Sequence, residues 1–209
     1  MTTRRVLLPG LAAMAALAPA LPARAAAPAQ VRFRILREGS AIGTHRVSFA
    51  EGADGSLSAL TEVDIAVKLA GFTVFRFTHR FEEVWAGQRL REARSRQDRN
   101  GRVTEMLARA DAQGIAVQGP EGALRLPAEA APLSWWDVRR IEGQRPLFDN
   151  DTGKPLRLSW TRAALPDGGR RWRCAGDEES EGRWSADGAW LAWTTKGDDG
   201  STVVYERVA

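Results

Sequence analysis

Over most of this chain, apolar and polar side chains alternate one for one in short runs, and each run ends at a turn signal. Phe33 and Ile35 alternate with Arg32 and Arg34, and His45, Val47 and Phe49 with Thr44, Arg46 and Ser48. Val63, Ile65, Val67 and Leu69 alternate with Glu62, Asp64, Ala66 and Lys68. Beyond Gly71, the set Phe75, Phe77, His79 and Phe81 alternates with Arg76, Thr78, Arg80 and Glu82. A period of two puts successive side chains on opposite faces of an extended backbone, so each run predicts a strand with one buried face. Further strands are predicted at 89–99, 102–109, 156–163, 170–175, 189–195 and 201–208. The separators, such as Asn100-Gly101 and Asp187-Gly188, carry Gly for positive φ or Asx side chains that bond their own backbone. Strands this close together join as hairpins, because a parallel crossover takes a dozen or more residues, usually helical. The expected fold is all-β, an antiparallel meander forming a barrel or half-barrel.

One segment departs from this pattern. Between Pro127 and Pro146 there is no alternation, and Ser134-Trp135-Trp136-Asp137 reads as an N-cap with an acid three residues on. Trp135, Val138 and Ile141 follow at helical spacing, and Gly143 supplies a stop. A short helix of about two turns is expected at 134–142, set over an edge or open end of the sheet. Its tryptophans either plug the core or form a lid. The run from Ala66 to Phe77 is apolar except for Lys68, Thr73 and Arg76. Gly71 is expected to turn it, with Leu69, Ala70 and Phe72 at a tip tucked beneath a neighbouring loop. The alternative is an exposed tip that touches lipid or a partner protein.

Residues 1–25 read as a cleaved signal peptide, with Arg4 and Arg5 ahead of an Ala- and Leu-rich stretch and Ala23-Arg24-Ala25 before the cut. Pro9, Pro19 and Pro22 interrupt that stretch, so it makes a poor membrane span. General secretion and the twin-arginine route, which Thr3-Arg4-Arg5-Val6-Leu7-Leu8 resembles, both stay open, and either leads to a periplasmic location. No membrane span is expected once the signal is gone. Residues 26–209 then form a single antiparallel β domain, a length that suits one sizeable core. The signal holds Arg4, Arg5 and Arg24 and no acid, so the remainder carries 27 basic against 26 acidic side chains. A surface so close to neutral lacks the broad positive field that nucleic-acid binding requires. Cys174 is the single cysteine, so no internal disulfide forms, and by parity it shares a buried face with Trp172.

Four motifs and stretches carry a family resemblance. Phe33-x-Ile35, Gly39 and Ile42-Gly43-x-His45-x-Val47 are followed by Glu62-Val63-Asp64-Ile65, Leu133-Ser134-Trp135-Trp136 and Asp151-Thr152-Gly153-Lys154. In order and rough spacing they resemble a group of exported Gram-negative bacterial β proteins, classed as a domain of unknown function. The group's usual Tyr after the Ser is Trp135 here, and its usual Asn is Asp137, which leaves the role of those side chains open. The resemblance implies an antiparallel, barrel-like or half-barrel fold in the periplasm and transfers no catalytic residue. More distantly, the scaffold is similar to periplasmic carriers that hold lipid chains in an unclosed barrel, an analogy of architecture alone.

The chemistry-bearing residues are few. His45 and His79 are the only histidines, and both fall on apolar strand faces, where a satisfied core imidazole is the usual finding. The sharper reading brings the two rings together around a carboxylate such as Glu83, which lies on the His79 face by parity. Ser134 has no nucleophile elbow around it, and helix capping accounts for it. Asp149-Asn150-Asp151-Thr152-Gly153 resembles a calcium loop, but Trp160 stands where the bidentate Glu belongs, so a turn built from Asx side chains is expected. Asp177, Glu178, Glu179 and Glu181 read as a solvated acidic loop. Trp160, Trp172, Trp184, Trp190 and Trp193 cluster in the C-terminal strands, either filling the core or lining a cavity.

No catalytic residue, metal site or cofactor is assigned. The expected role is a module that binds a lipid or other hydrophobic ligand through Phe75, Phe77, Phe81, His45, His79, Trp135 and Trp136. The alternative is a cell-envelope protein-interaction module without a small-molecule ligand, using the hairpin tip and sheet edges.

Overall fold

The computed structural model describes residues 27–208. The candidate signal peptide lies outside them. The alternating runs form strands β1 (Val31–Arg37), β2 (Ser40–Glu51), β3 (Leu57–Leu69), β4 (Phe72–Ala86), β5 (Arg89–Arg99), β6 (Arg102–Asp111), β7 (Gly114–Gly119) and β8 (Gly122–Leu126). An insertion follows, made of β9 (Ala131–Pro132), α1 (Val138–Glu142), β10 (Leu147–Phe148) and β11 (Pro155–Leu156). Strands β12 (Leu158–Ala164), β13 (Arg170–Gly176), β14 (Ser180–Trp184), β15 (Trp190–Lys196) and β16 (Thr202–Val208) complete the chain.

Thirteen strands make one sheet in the order β12-β13-β14-β15-β16-β1-β2-β3-β4-β5-β6-β7-β8, and β9, β10 and β11 make a small second sheet. Every neighbour in the large sheet is a hairpin partner except β1 and β16, which pair antiparallel with Arg34 opposite Glu206. The meander expected from the turn spacing is therefore present. The edge strands β8 and β12 do not pair with one another, so the barrel stays unclosed. Register shifts at Ile35/Leu36, Val67/Lys68, Val84/Trp85 and Arg183/Trp184 help the sheet to curl, because a bulge bends its strand and increases the local twist. The curl is deep enough that Arg99, ending β5, forms an ion pair with Asp198 in the turn between β15 and β16.

The inner face follows the parity of the sequence. Phe33, Ile35, Val47, Phe81 and Trp85 are buried, while Arg32, Arg34 and Arg80 face solvent. Cys174 is fully buried and its Sγ lies 3.2 Å from Ser180 Oγ. Outward arginines meet outward acids across strands, as in Arg80–Glu62 and Arg109–Glu92. Exposed pairs like these are worth at most about 1 kcal/mol each.

Two local expectations need correction. The helix starts at Val138 rather than Ser134, and its N-cap is Asp137, whose side chain accepts from the Arg139 amide. Ser134 cannot cap because its hydroxyl is drawn away to the buried Glu83 carboxylate. Gly143 is the C-cap as expected. The hairpin tip is not covered: Leu69 is 70 % exposed, Phe72 77 % and Val74 55 %. Strands β3 and β4 run past the end of the cup, and Ala70 and Gly71 turn the chain with positive φ, the geometry of a tight hairpin.

The insertion packs into the mouth of the curl. Trp135 stacks on Trp184 with ring centroids 5.7 Å apart, and Trp184 Nε1 donates to the Trp135 carbonyl at 3.3 Å. Gly182 makes this approach possible, since a Cβ there would lie 2.7 Å from the Trp135 ring and would overlap Trp184 as well. Gly182→Ala is expected to cost about 1–3 kcal/mol through overpacking, measured by urea unfolding. An unchanged midpoint would show that the indoles can move apart freely.

Candidate functional site

Two cavities lie end to end on the inner side of the sheet, and Phe77 and Tyr205 line both. The deeper one, about 160 Å³, is walled by β2, β4, β15, β16 and the insertion. His45, His79, Phe77, Phe81, Trp135 and Trp136 all line it. The outer one, about 520 Å³, forms a mouth with an apolar side of Ile42, Ile65, Val67, Val74, Phe75 and Phe77 and a polar side that includes Arg37, Arg99, Asp198 and Asp199. The seven residues singled out from the sequence therefore share one continuous side of the molecule, with Phe75 in the mouth and the other six around the deep cavity.

His79 and His45 are held differently. His79 Nε2 lies 2.9 Å from Ser95 Oγ and 3.0 Å from Asp151 Oδ1, and Gln97 Nε2 donates to the other oxygen of Asp151. Burial pushes the Asp151 carboxyl up, but its contacts with His79 and Gln97 outweigh that and hold it below the usual range. In a Ser–His–acid relay the serine and the acid use different ring nitrogens. Here they share one, an arrangement that fixes the ring and differs from that relay. His45 is 7 % exposed, and among the described residues neither of its ring nitrogens has a hydrogen-bond partner. Rings enclose it, with centroids of Phe33, Trp190 and Tyr205 at 5.6, 5.4 and 5.5 Å. Burial, with the electrostatic influence of His79 second, lowers its pKa to about 3. The imidazole is thus neutral, with one donor and one acceptor to offer.

Glu83 does not join the two histidines, so the sharper reading of the pair is not met. It receives the Ser134 hydroxyl, Trp136 Nε1 at 2.7 Å and Trp85 Nε1 at 3.3 Å. Arg140 lies 3.7 Å away, its guanidinium 3.4 Å from the ring centre of Trp85 and 4.1 Å from that of Trp136. Burial raises the Glu83 pKa while Arg140 and the three donors oppose the shift. The arrangement clamps the insertion to β4 and so fixes Trp135 and Trp136 over the cavity.

Sequence reasoning missed three residues around that space: Asp151, Glu178 and Tyr205. Asp149 builds the expected Asx turn, accepting from the Thr152 amide at 2.7 Å and its hydroxyl at 2.6 Å, but the same turn aims Asp151 inward. Asp177, Glu179 and Glu181 pair outward with arginines as a solvated loop should, whereas Glu178 is half-buried beside the cavity. Burial, then Asp149 and Asp151, raise its pKa. Tyr205 was accessible by parity along β16, alternating with Val204 and Glu206; the two acids carried no such signal. Among the described residues, no three His, Cys, Asp or Glu side chains are grouped to hold a metal, and no helix is long and apolar enough to cross a membrane.

Comparison with known proteins agrees with this architecture. A β-barrel-like protein of a domain of unknown function (DUF1849) from Brucella abortus superposes with a TM-score of 0.59 at 11 % identity, covering 86 % of this chain and 94 % of that one. A DUF1089 family protein from Pseudomonas aeruginosa aligns over 69 % of this chain and 86 % of its own, at 16 % identity and a TM-score of 0.42. The first likeness establishes a shared fold. No curated protein sequence matches the chain. Residues 33–208 match the model of the domain of unknown function DUF6134, which spans nearly the whole of the curled sheet and its insertion. The chain belongs to the DUF6134 family.

Proposed function

We propose that this protein is an exported carrier that holds a lipid or similar apolar ligand in its unclosed barrel. The observation that carries the reading is the apolar mouth of about 520 Å³, which leads past Phe77 and Tyr205 to a second interior space. Its volume lies within the roughly 300–1,000 Å³ of small-molecule sites. An alkyl chain lying against Ile65, Val67 and Phe75 would remove its own apolar surface and theirs from water, worth about 25 cal/mol per Å². Export to the periplasm rests on Arg4, Arg5, the Ala- and Leu-rich stretch and the small residues before position 26.

Native mass spectrometry of protein taken directly from cells tests the reading. A lipid-sized adduct is expected on the wild type and is expected to vanish in Phe75→Asp, which puts a carboxylate in the mouth. The exposed Leu69, Phe72 and Val74 favour a second reading, an envelope protein seated on the hairpin tip. A co-purifying polypeptide lost in Phe72→Ser, with no lipid adduct, would support that reading over the first.

A further inference from the structure

We infer that the deep cavity receives a protonated amine, so that the ligand is an amphiphile with a cationic amino head. This rests on the carrier reading for the apolar tail, but the head-group argument stands on its own residues. His45 supplies the first observation: a buried imidazole lining the space with both nitrogens unpartnered. A buried donor or acceptor without a partner is costly, so a ligand that reaches the ring recovers what the empty protein forgoes. Trp193 Nε1 in the same wall is likewise without a partner among the described residues.

Charge then chooses among ligands. Asp151 and Glu178 face the space, and among the described residues no arginine or lysine pairs with Glu178. His79 is the basic partner of Asp151 in this wall, and Arg99 of the adjoining mouth, itself paired with Asp198, acts on it from farther away. A carboxylate or phosphate head would therefore meet like charge, which costs several kcal/mol in a dry site. An ammonium group brings three N–H donors and no acceptor. It can give them to the His45 ring nitrogen, to Glu178 and to Asp151. The surrounding rings add to this, since Trp193 and Tyr205 pack at 4.5 Å between centroids and present aromatic surface to the same space. A cation beside an aromatic face is attracted by the ring quadrupole, more strongly when desolvated. The imidazole N–H and the Trp193 N–H can each donate to a neutral oxygen as readily as to a charged one, and they do not choose the head group. The acids do.

The probes are dodecylamine, dodecanol, dodecanoate and n-butylamine, titrated at pH 7 below micelle formation and followed by tryptophan fluorescence and calorimetry. Dodecylamine is expected to bind at least about tenfold more tightly than dodecanoate, a difference of about 1.4 kcal/mol. Glu178→Gln and Asp151→Asn are each expected to shrink that ratio several-fold while leaving dodecanol unchanged. Glu178 is half-buried and the milder change, so it serves if Asp151→Asn disturbs the His79 clamp. Dodecanoate binding as well as dodecylamine, or a ratio untouched by both variants, overturns the amine head and leaves the carrier reading standing. Butylamine competing as well as dodecylamine upholds the head and overturns the carrier reading. Binding of none of the four overturns both.

Discussion

Replacing Arg140 with alanine is expected to remove about 3–5 kcal/mol of folding stability, because the change strips the buried Glu83 carboxylate of its cationic partner. The guanidinium lies between the indoles of Trp85 and Trp136, so its removal also opens a gap between two large rings. Glu83 would keep its donors from Ser134, Trp85 and Trp136, but these are neutral groups. Urea unfolding read by tryptophan fluorescence measures the loss. A cycle with Glu83→Gln, Arg140→Met and the double variant separates pair from packing. The double variant is expected to be less destabilised than the sum of the single ones, by about 1 kcal/mol or more. Strict additivity would mean that the pair contributes only as packed surface.

Acid is expected to destabilise the fold through His45 well above the range where carboxylates titrate. Its folded pKa is lowered from 6.5 to about 3. Between those values the unfolded chain binds a proton that the folded chain refuses, so stability rises with pH there and is lost as pH falls. The slope from this one group is about 1.4 kcal/mol per pH unit, on the order of 4–5 kcal/mol over the window. Glu178 acts in the opposite sense, since its raised folded pKa costs stability as pH rises. Asp151, with its lowered pKa, adds acid sensitivity only below the ordinary carboxylate range. Comparing the wild type with His45→Leu cancels both. From pH 7 to pH 5 the variant should gain about 2 kcal/mol on the wild type. Parallel stability curves would mean that His45 is protonated or well solvated in the folded protein.

What the sequence disclosed and what it hid have physical reasons. Strand parity is a local property, and Phe33, Ile35, Val47, Phe81 and Trp172 all turned inward as their alternation requires. His45, Phe75, Phe77, His79 and Phe81 reached the cavities for the same reason, whereas Trp135 and Trp136 arrive there on the insertion. Contacts between the insertion and the sheet are not local. Glu83 and Ser134 are 51 residues apart, and no period connects them, so the helix start was placed at Ser134 instead of Val138. Asp151 and Glu178 sit in turns whose composition reads as solvated; only the closing of the cup over them makes their carboxylates face inward. The exposed tip at Leu69 and Phe72 follows from strand length, which alternation does not report.

The seam between β1 and β16 joins Arg34 to a residue 172 positions away. Two runs of hairpins can each zip up through neighbouring segments, yet neither can join the other until the last strand arrives. Before that moment β1 and β15 each expose a bare row of amide and carbonyl groups, a template for pairing with other molecules. Assembly is therefore expected to be slow and vulnerable to self-association at its final step. A chain lacking the closing strand should gather into aggregates and not persist as a slightly loosened monomer.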